Sequence, residues 1–168
     1  MNEQEKEIKN QNGFDGVHEL PGSATLFQAR KGEKYGIYSS SRKALVVPVE
    51  FDAVNLQVDK DRVSVEKAGK HGMYSISHEK IVVPIEWDFV STSPNPTNTD
   101  TYEVVNGKKH GVYSRLESKL IMPIEYDTII ELVGSDHFKD SPYNGQYRVQ
   151  LEEKIGRFDP KTQSVTWN

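Results

Sequence analysis

The sequence predicts an all-β protein built from about four repeated units, and three observations carry that reading. A refrain of the form Pro-x-Glu-aromatic-Asp is complete at Pro48–Asp52, Pro84–Asp88 and Pro123–Asp127, with a shortened copy, Phe14-Asp15-Gly16-Val17, ahead of them. A second refrain lies between the copies: Tyr35-Gly36-Ile37-Tyr38, His71-Gly72-Met73-Tyr74, His110-Gly111-Val112-Tyr113 and Ile155-Gly156-Arg157-Phe158. Its glycines are 36, 39 and 45 residues apart. Apolar residues also alternate through each Pro-containing run: Leu45, Val47, Val49 and Phe51, then Ile81, Val83, Ile85 and Trp87, then Leu120, Met122, Ile124 and Tyr126. Alternation at period two with β-branched residues marks a half-buried strand. A repeat of this length marks a stacked or radial architecture of supersecondary units.

Each repeat reads as three antiparallel strands. The first carries Phe27 and Ala29, Val63 and Val65, Tyr102 and Val104, or Tyr147 and Val149. A tight turn follows, at Lys31–Lys34, Lys67–Lys70 and Asn106–Lys109, where Gly supplies the positive φ that hairpins demand. The Gly-x-aromatic segment is the second strand and the Pro-containing run the third. Its proline has no N–H to give a ladder, so it marks an edge, a bulge or a corner. The repeats are expected at about 14–54, 55–90, 91–130 and 131–168, within one domain spanning 14–168. Residues 1–13 are polar and charged and read as a disordered tail. No segment has a helical period. An open or coiled array of repeats is the expected arrangement. A closed, propeller-like ring is the alternative, because the chain opens on the tail of a repeat and closes on the start of a strand.

Composition narrows the function classes. Apolar content is 35%, charged content 27%, and the formal net charge −4. Mild acidity argues against nucleic acid as a partner. With no cysteine, neither a disulfide framework nor a thiolate metal site can form. No apolar run approaches the ~20 residues of a membrane span. The N-terminus lacks the apolar core of a secretory signal, so the chain is expected in the cytoplasm.

The turn, Gly-x-Tyr, apolar strand and Pro-x-x-aromatic-Asp in succession resemble the WG-containing β-repeat family of bacteria, over about residues 14–160. The tryptophan that names the family is Tyr35, His71, His110 and Ile155 here. The resemblance implies an all-β scaffold for protein interaction, without catalysis or cofactor.

Residue by residue, the repeated polar groups read as structural. Asp15, Asp52, Asp88 and Asp127 fit caps on the backbone N–H groups of the turn that ends each strand. No segment offers the several oxygen ligands of a calcium loop. Glu50, Glu86 and Glu125 form one column and Lys34, Lys70, Lys109 and Lys154 another, an arrangement suited to Glu–Lys ladders. His71 and His110 have too few companions for zinc and stand in for the family tryptophan. Tyr38, Tyr74 and Tyr113 fit the core, and Ser39, Ser75 and Ser114 recur in register like the rest. No nucleophile elbow, phosphate loop or His-Glu-x-x-His is present, so no catalytic residues are assigned.

Two insertions break the rhythm, at 91–100 and 134–145. The second brings together Asp136, His137, Phe138, Asp140, Tyr143, Asn144 and Tyr147, a set suited to a protein interface, where aromatics are common hot spots. The expectation is a protein-binding module, monomeric alone, acting as an immunity or antitoxin protein that blocks a bacterial toxin. An acidic surface suits the masking of a basic nuclease cleft. Rival readings are a glycan or cell-envelope binder using the aromatic columns and a self-associating structural repeat protein.

Overall fold

A computed structural model describes residues 1–57, 61–92, 100–132 and 145–168. The fold is all-β: four antiparallel sheets of four strands, each wound in sequence order like a propeller blade. The first contains β1 (Gly16–Glu19), β2 (Leu26–Lys31), β3 (Lys34–Ser39) and β4 (Ala44–Phe51). The second contains β5 (Ala53–Leu56), β6 (Arg62–Lys67), β7 (Lys70–Ser75) and β8 (Lys80–Trp87). The third contains β9 (Phe89–Thr92), β10 (Thr101–Asn106), β11 (Lys109–Ser114) and β12 (Lys119–Tyr126). The fourth contains β13 (Thr128–Leu132), β14 (Gln146–Leu151), β15 (Lys154–Asp159) and β16 (Ser164–Trp167).

The sequence predicts three strands per repeat, and the structure has four. The additional strand follows the refrain aspartate at once, and with only four or five residues it is too short to display alternation. Asp52, Asp88 and Asp127 are therefore the corners between one sheet's last strand and the next sheet's first, while Asp15 follows α1 and opens the first sheet. The backbone N–H of Asp52 donates to Glu66 O and that of Asp127 to Gln150 O, both at 2.8 Å, which ties each corner to the sheet that it opens.

The proline and the glycine of the two refrains form one device. In the first sheet Ile37 faces Val47 and Tyr35 faces Phe51, so two steps on β3 oppose four on β4. The surplus residues, including Pro48, arch outward, and Pro48 needs no ladder N–H at this edge. Gly36 lies beneath the arch, where a Cβ would stand 2.6 Å from Val47 O and 2.7 Å from Pro48 O. The β11–β12 pair is shifted in the same way, with His110 facing Tyr126 and Val112 facing Met122.

Two compact units divide the chain, Met1–Glu86 and Trp87–Asn168. In the first, Ile37, Val46, Val47 and Phe51 of one sheet pack on Val54, Val63, Val65 and Tyr74 of the next. In the second, Val112, Met122 and Tyr126 pack on Tyr147, Val149 and Phe158. One aromatic contact recurs four times: Phe14 with Tyr38, Phe51 with Tyr74, Trp87 with Tyr113 and Tyr126 with Phe158, at centroid separations of 6.1, 6.4, 6.4 and 6.1 Å. The aromatic of the refrain is thus a peg that seats on the following sheet. Burial pushes the phenols of Tyr74 and Tyr126 above the usual tyrosine range, with nearby glutamates adding to the shift.

The N-terminal segment corrects the expectation of a disordered tail. Residues Glu3–Asn12 form helix α1, opened by a capping box between Asn2 and Glu5 and closed by Gly13 in the left-handed region. Ile8 is buried with Phe14, Val17, Phe27, Ala29 and Tyr38, so α1 covers the first sheet where a preceding sheet would otherwise pack. The Glu5 carboxylate accepts from the N–H of Glu19 at 3.1 Å, which satisfies the edge strand β1. That bond and the one from Asn2 hold the Glu5 carboxyl below its usual range. The helix was hidden from pattern reading because one apolar side chain, Ile8, docks it.

Candidate functional site

The refrain aspartates, with Lys34 and Lys109, tie the sheets' corners to their hairpins. Each refrain aspartate accepts a backbone N–H from the tight hairpin of the sheet that it opens: Asp15 from Gly32 at 2.6 Å, Asp52 from Ala68 at 2.7 Å, Asp88 from Gly107 at 2.7 Å and Asp127 from Glu152 at 2.6 Å. Lys34 donates to Asp52, and Lys109 to Asp127 at 2.6 Å. These lysines thus meet the aspartates rather than the glutamate column, while Glu50 faces Lys67 at 3.5 Å.

These clasps make a pH prediction. The ammonium of Lys34 and then the Ala68 N–H hold the Asp52 carboxyl below its ordinary 3.8, and Lys109 and Glu152 do the same for Asp127. Lowered folded-state values mean that the unfolded chain binds more protons in this window. The clasps therefore stabilise the fold above about pH 4 and lose that contribution as the pH falls through the lowered values. Asp52→Asn and Asp127→Asn are expected to unfold at lower urea than the parent at pH 7, with the gap narrowing towards pH 3. A gap that is constant with pH would show that the carboxylate charge contributes nothing.

One cluster imitates a catalytic triad and is chemically unlike it. Ser75 Oγ donates to Asp61 Oδ2 at 2.9 Å, and His78 Nδ1 lies 2.9 Å from the same hydroxyl. The serine stands between the acid and the imidazole, so the histidine is not oriented by the carboxylate and no proton relay to the hydroxyl exists. Burial alone would raise the Asp61 carboxyl, but the Ser77 N–H and the Ser75 and Ser77 hydroxyls outweigh it and hold it low. Ser39 and Ser114 accept the Arg42 and Glu117 N–H groups as Ser75 accepts that of His78, so this serine is a turn support in three sheets. Among the described residues no three His, Asp or Glu side chains group to hold a metal ion. No described helix is long and apolar enough to cross a membrane.

Of the residues expected to meet a partner, Asp136, His137, Phe138, Asp140, Tyr143 and Asn144 lie outside the described residues. Tyr147 is described and corrects the expectation: it is 5% exposed, within the core between the last two sheets. It lies on β14 opposite Phe158, and the strand's alternation turns its ring inward.

A different feature breaks the symmetry among the described residues. The turns joining the third and fourth strands of each sheet share one form, with a positive φ at Lys43, Glu79, Ser118 and Gln163. Two residues before these stand Ser41, Ser77, Leu116 and Lys161. Leu116 is 71% exposed, an apolar side chain at a tip that is polar in the other three sheets. Its turn is anchored by Arg115, whose backbone N–H and guanidinium both donate to Asp100.

Beside this turn lies a cleft of about 580 Å3 lined by Glu117, Lys119, Leu120, Ile121, Pro160, Lys161 and Gln163. Leu120, Ile121 and Pro160 supply apolar surface, and Glu117 and Lys119, also in the lining, pair at 2.9 Å. Gln163 Nε2 donates to Ile121 O at 2.9 Å, capping the outer edge of β12. The corresponding turns of the first unit are bridged instead by Arg42 and Glu79 at 3.5 Å. Pattern reading missed this site because it weighed the inserted loops and did not compare turn tips, where Leu116 departs from Ser41, Ser77 and Lys161.

The chain is thus an all-β repeat protein of blade-like four-stranded sheets, with an exposed apolar turn and an adjoining cleft in its second unit. No family model matches the chain, and no curated protein matches it. Among solved structures, a chain of the mitotic checkpoint complex is similar over 92% of this chain and 50% of its own length, at 5% identity and a TM-score of 0.43. The extracellular domain of a hybrid two-component system from B. thetaiotaomicron is similar over 90% of this chain and 23% of its own, at 9% identity and a TM-score of 0.35. A chain from S. cerevisiae Dbp5 bound to Nup159, Gle1, IP6 and ADP is similar over 90% of this chain and 42% of its own, at 13% identity and a TM-score of 0.38. This chain spans half or less of the length of each. The fold assignment follows from the strand order itself.

Proposed function

We propose that this protein is a non-catalytic protein-binding module of the WG-repeat type, acting as an immunity protein that binds and blocks a bacterial toxin. The observation that carries the binding reading is Leu116, 71% exposed at a repeat position that is polar elsewhere, beside a cleft with both apolar and charged lining. Burying such a side chain on a partner releases about 1.5–3 kcal/mol, and an apolar centre with a polar rim is the anatomy of a protein interface. Among the described residues, the refrain aspartates and the recurring serines serve corners and turns, and His110 pairs with Glu103 at 2.6 Å. The immunity role rests on the pattern of the sequence: a small acidic chain with a rigid repeated frame and local departures from it.

Co-expression with the product of the adjacent upstream open reading frame, followed by pull-down and growth rescue, tests both parts. The expected result is a complex that restores growth to poisoned cells. Leu116→Asp is expected to weaken that complex by at least about tenfold, the equivalent of ~1.4 kcal/mol, while leaving the melting temperature unchanged. A harmless neighbour, or a toxic one that is neither bound nor neutralised, overturns the immunity role. Full affinity in Leu116→Asp removes this face from the binding surface.

A further inference from the structure

The third sheet departs from the repeat a second time, at the end of its strands opposite the Leu116 turn. The residue after the refrain aspartate is small in the other three sheets, Gly16, Ala53 and Thr128, and is Phe89 here. It is 53% exposed. Opposite it on β10 stands Val105, and two residues along β10 stands Glu103, at a position held by Gln28, Ser64 and Arg148 in the other sheets. Opposite Val105 on β11 is His110, where the first and fourth sheets have Tyr35 and Ile155. Residues paired across a ladder, and residues two apart on a strand, project to one face. Phe89, Glu103 and His110 therefore share a face. Further along it, Val112 and Met122 pack into the core with the fourth sheet, while Phe89 on the first strand stays open.

Glu103 is oriented rather than neutralised. Its Oε1 accepts from His110 Nδ1 at 2.6 Å and its Oε2 from Ser91 Oγ at 3.3 Å, with the side chain 22% exposed. Among the described residues no lysine or arginine pairs with it, and neighbouring Lys109 is held by Asp127. A carboxylate has about four lone-pair sites, so two bonds leave it able to accept more. Phe89 and Glu103 are diagonal neighbours, a relation that puts them about 7–8 Å apart, within reach of long and aromatic side chains. A guanidinium fits both groups at once: its plane stacks on an aromatic ring, and its forked N–H groups donate to a carboxylate. A lysine ammonium has neither the plane nor the fork. The net charge of −4 favours the approach of a basic partner.

We propose that the face of the third sheet bearing Phe89 and Glu103 binds an arginine side chain of a partner protein. The guanidinium stacks on Phe89 and donates to Glu103, which Ser91 and His110 hold in position, and Val105 meets the apolar stem of the arginine. The site is separate from the Leu116 turn and does not rest on the immunity role.

NMR titration of the full chain with the peptide Gly-Val-Arg-Val-Gly, and with counterparts carrying lysine or citrulline in place of arginine, tests the proposal. The expected result is saturable amide shifts centred on Phe89, Glu103 and Val105. Affinity is expected to fall at least about tenfold for the citrulline peptide and for Glu103→Gln, and about two- to fivefold for Phe89→Thr. The lysine peptide, equal in charge, is expected to bind more weakly than the arginine peptide, and Leu116→Asp to leave binding unchanged. Phe89→Thr alters an exposed side chain to the residue that the fourth sheet carries there, so its melting temperature is expected to match the parent's. That variant decides the question even if Glu103→Gln disturbs the fold. Equal affinity for parent and Phe89→Thr, equal affinity for the arginine and lysine peptides, or no saturable binding at millimolar peptide overturns the proposal. So does binding of a short oligothymidylate that Phe89→Thr abolishes, which would assign the face to stacked bases.

Discussion

Gly36→Ala is expected to destabilise the protein by about 3 kcal/mol, an overpacking cost, or roughly 6–12 °C in melting temperature for a chain of this size. A Cβ at this position would lie 2.6 Å from Val47 O, 2.7 Å from Pro48 O and 2.8 Å from Pro48 C. All three are backbone atoms of the arch in β4, so no rotamer change relieves the clash and the strand itself must lift. Lifting it also disturbs Phe51, whose position depends on the same arch. Gly32→Ala is the control. Its φ is +61° and nothing lies within 4 Å of where the alanine methyl would stand, so the cost is backbone strain of about 1 kcal/mol. Thermal and urea unfolding of the two variants checks the order. Equal losses would mean that the arch is soft and that the recurrence of Gly with Pro has another cause.

Phe51→Ala is expected to cost about 3–5 kcal/mol, the range for removing a buried aromatic side chain. Phe51 is 1% exposed and packs edge-on against Tyr74, with Ile37 and Val47 on its own sheet's side and Val54, Val63 and Val65 on the other. The side chain is the joint between the two sheets of the first unit, so truncation opens a cavity at the place where they meet. A double-mutant cycle with Tyr74→Ala is expected to show a coupling of about 0.5–1.5 kcal/mol. Loss of less than about 1 kcal/mol on Phe51→Ala, a value typical of surface change rather than core, would show that the sheets do not depend on this peg.

Much of the fold was legible because its determinants act over short stretches of chain. Alternation in Leu45–Phe51 and its copies gave β4, β8 and β12, and the Gly-containing turns gave the central hairpin of the first three sheets. The refrain aspartates do cap turn N–H groups, but those of the hairpin in the sheet that each opens rather than of the turn ending its own strand, because that hairpin is brought to them by pairing across 16–25 residues. What escaped were features set by partners far away in sequence. The four-residue strand β5 has no pattern of its own and is a strand because Asn55 and Val54 meet Ser64 and Val65. Helix α1 is polar nearly throughout and is fixed by its caps, by Ile8 and by the Glu5–Glu19 bond. The candidate site fared similarly. The residues Asp136–Asn144 fall outside the described structure, Tyr147 turned inward, and the exposed apolar turn tip came to notice once burial was known.

The sequence by itself determined the all-β class, the repeat, the hairpins and the refrain that sets each corner, because period-two burial, positive φ and a missing proline N–H are local constraints. The tertiary structure alone decided that each sheet has a fourth strand, that the N-terminal helix covers the first, that Tyr147 is core, and that Leu116 and Phe89 face outward. Those outcomes depend on which surfaces are paired across long separations in the chain, and the free energy of burial and cross-strand contact is realised only when the pairing exists.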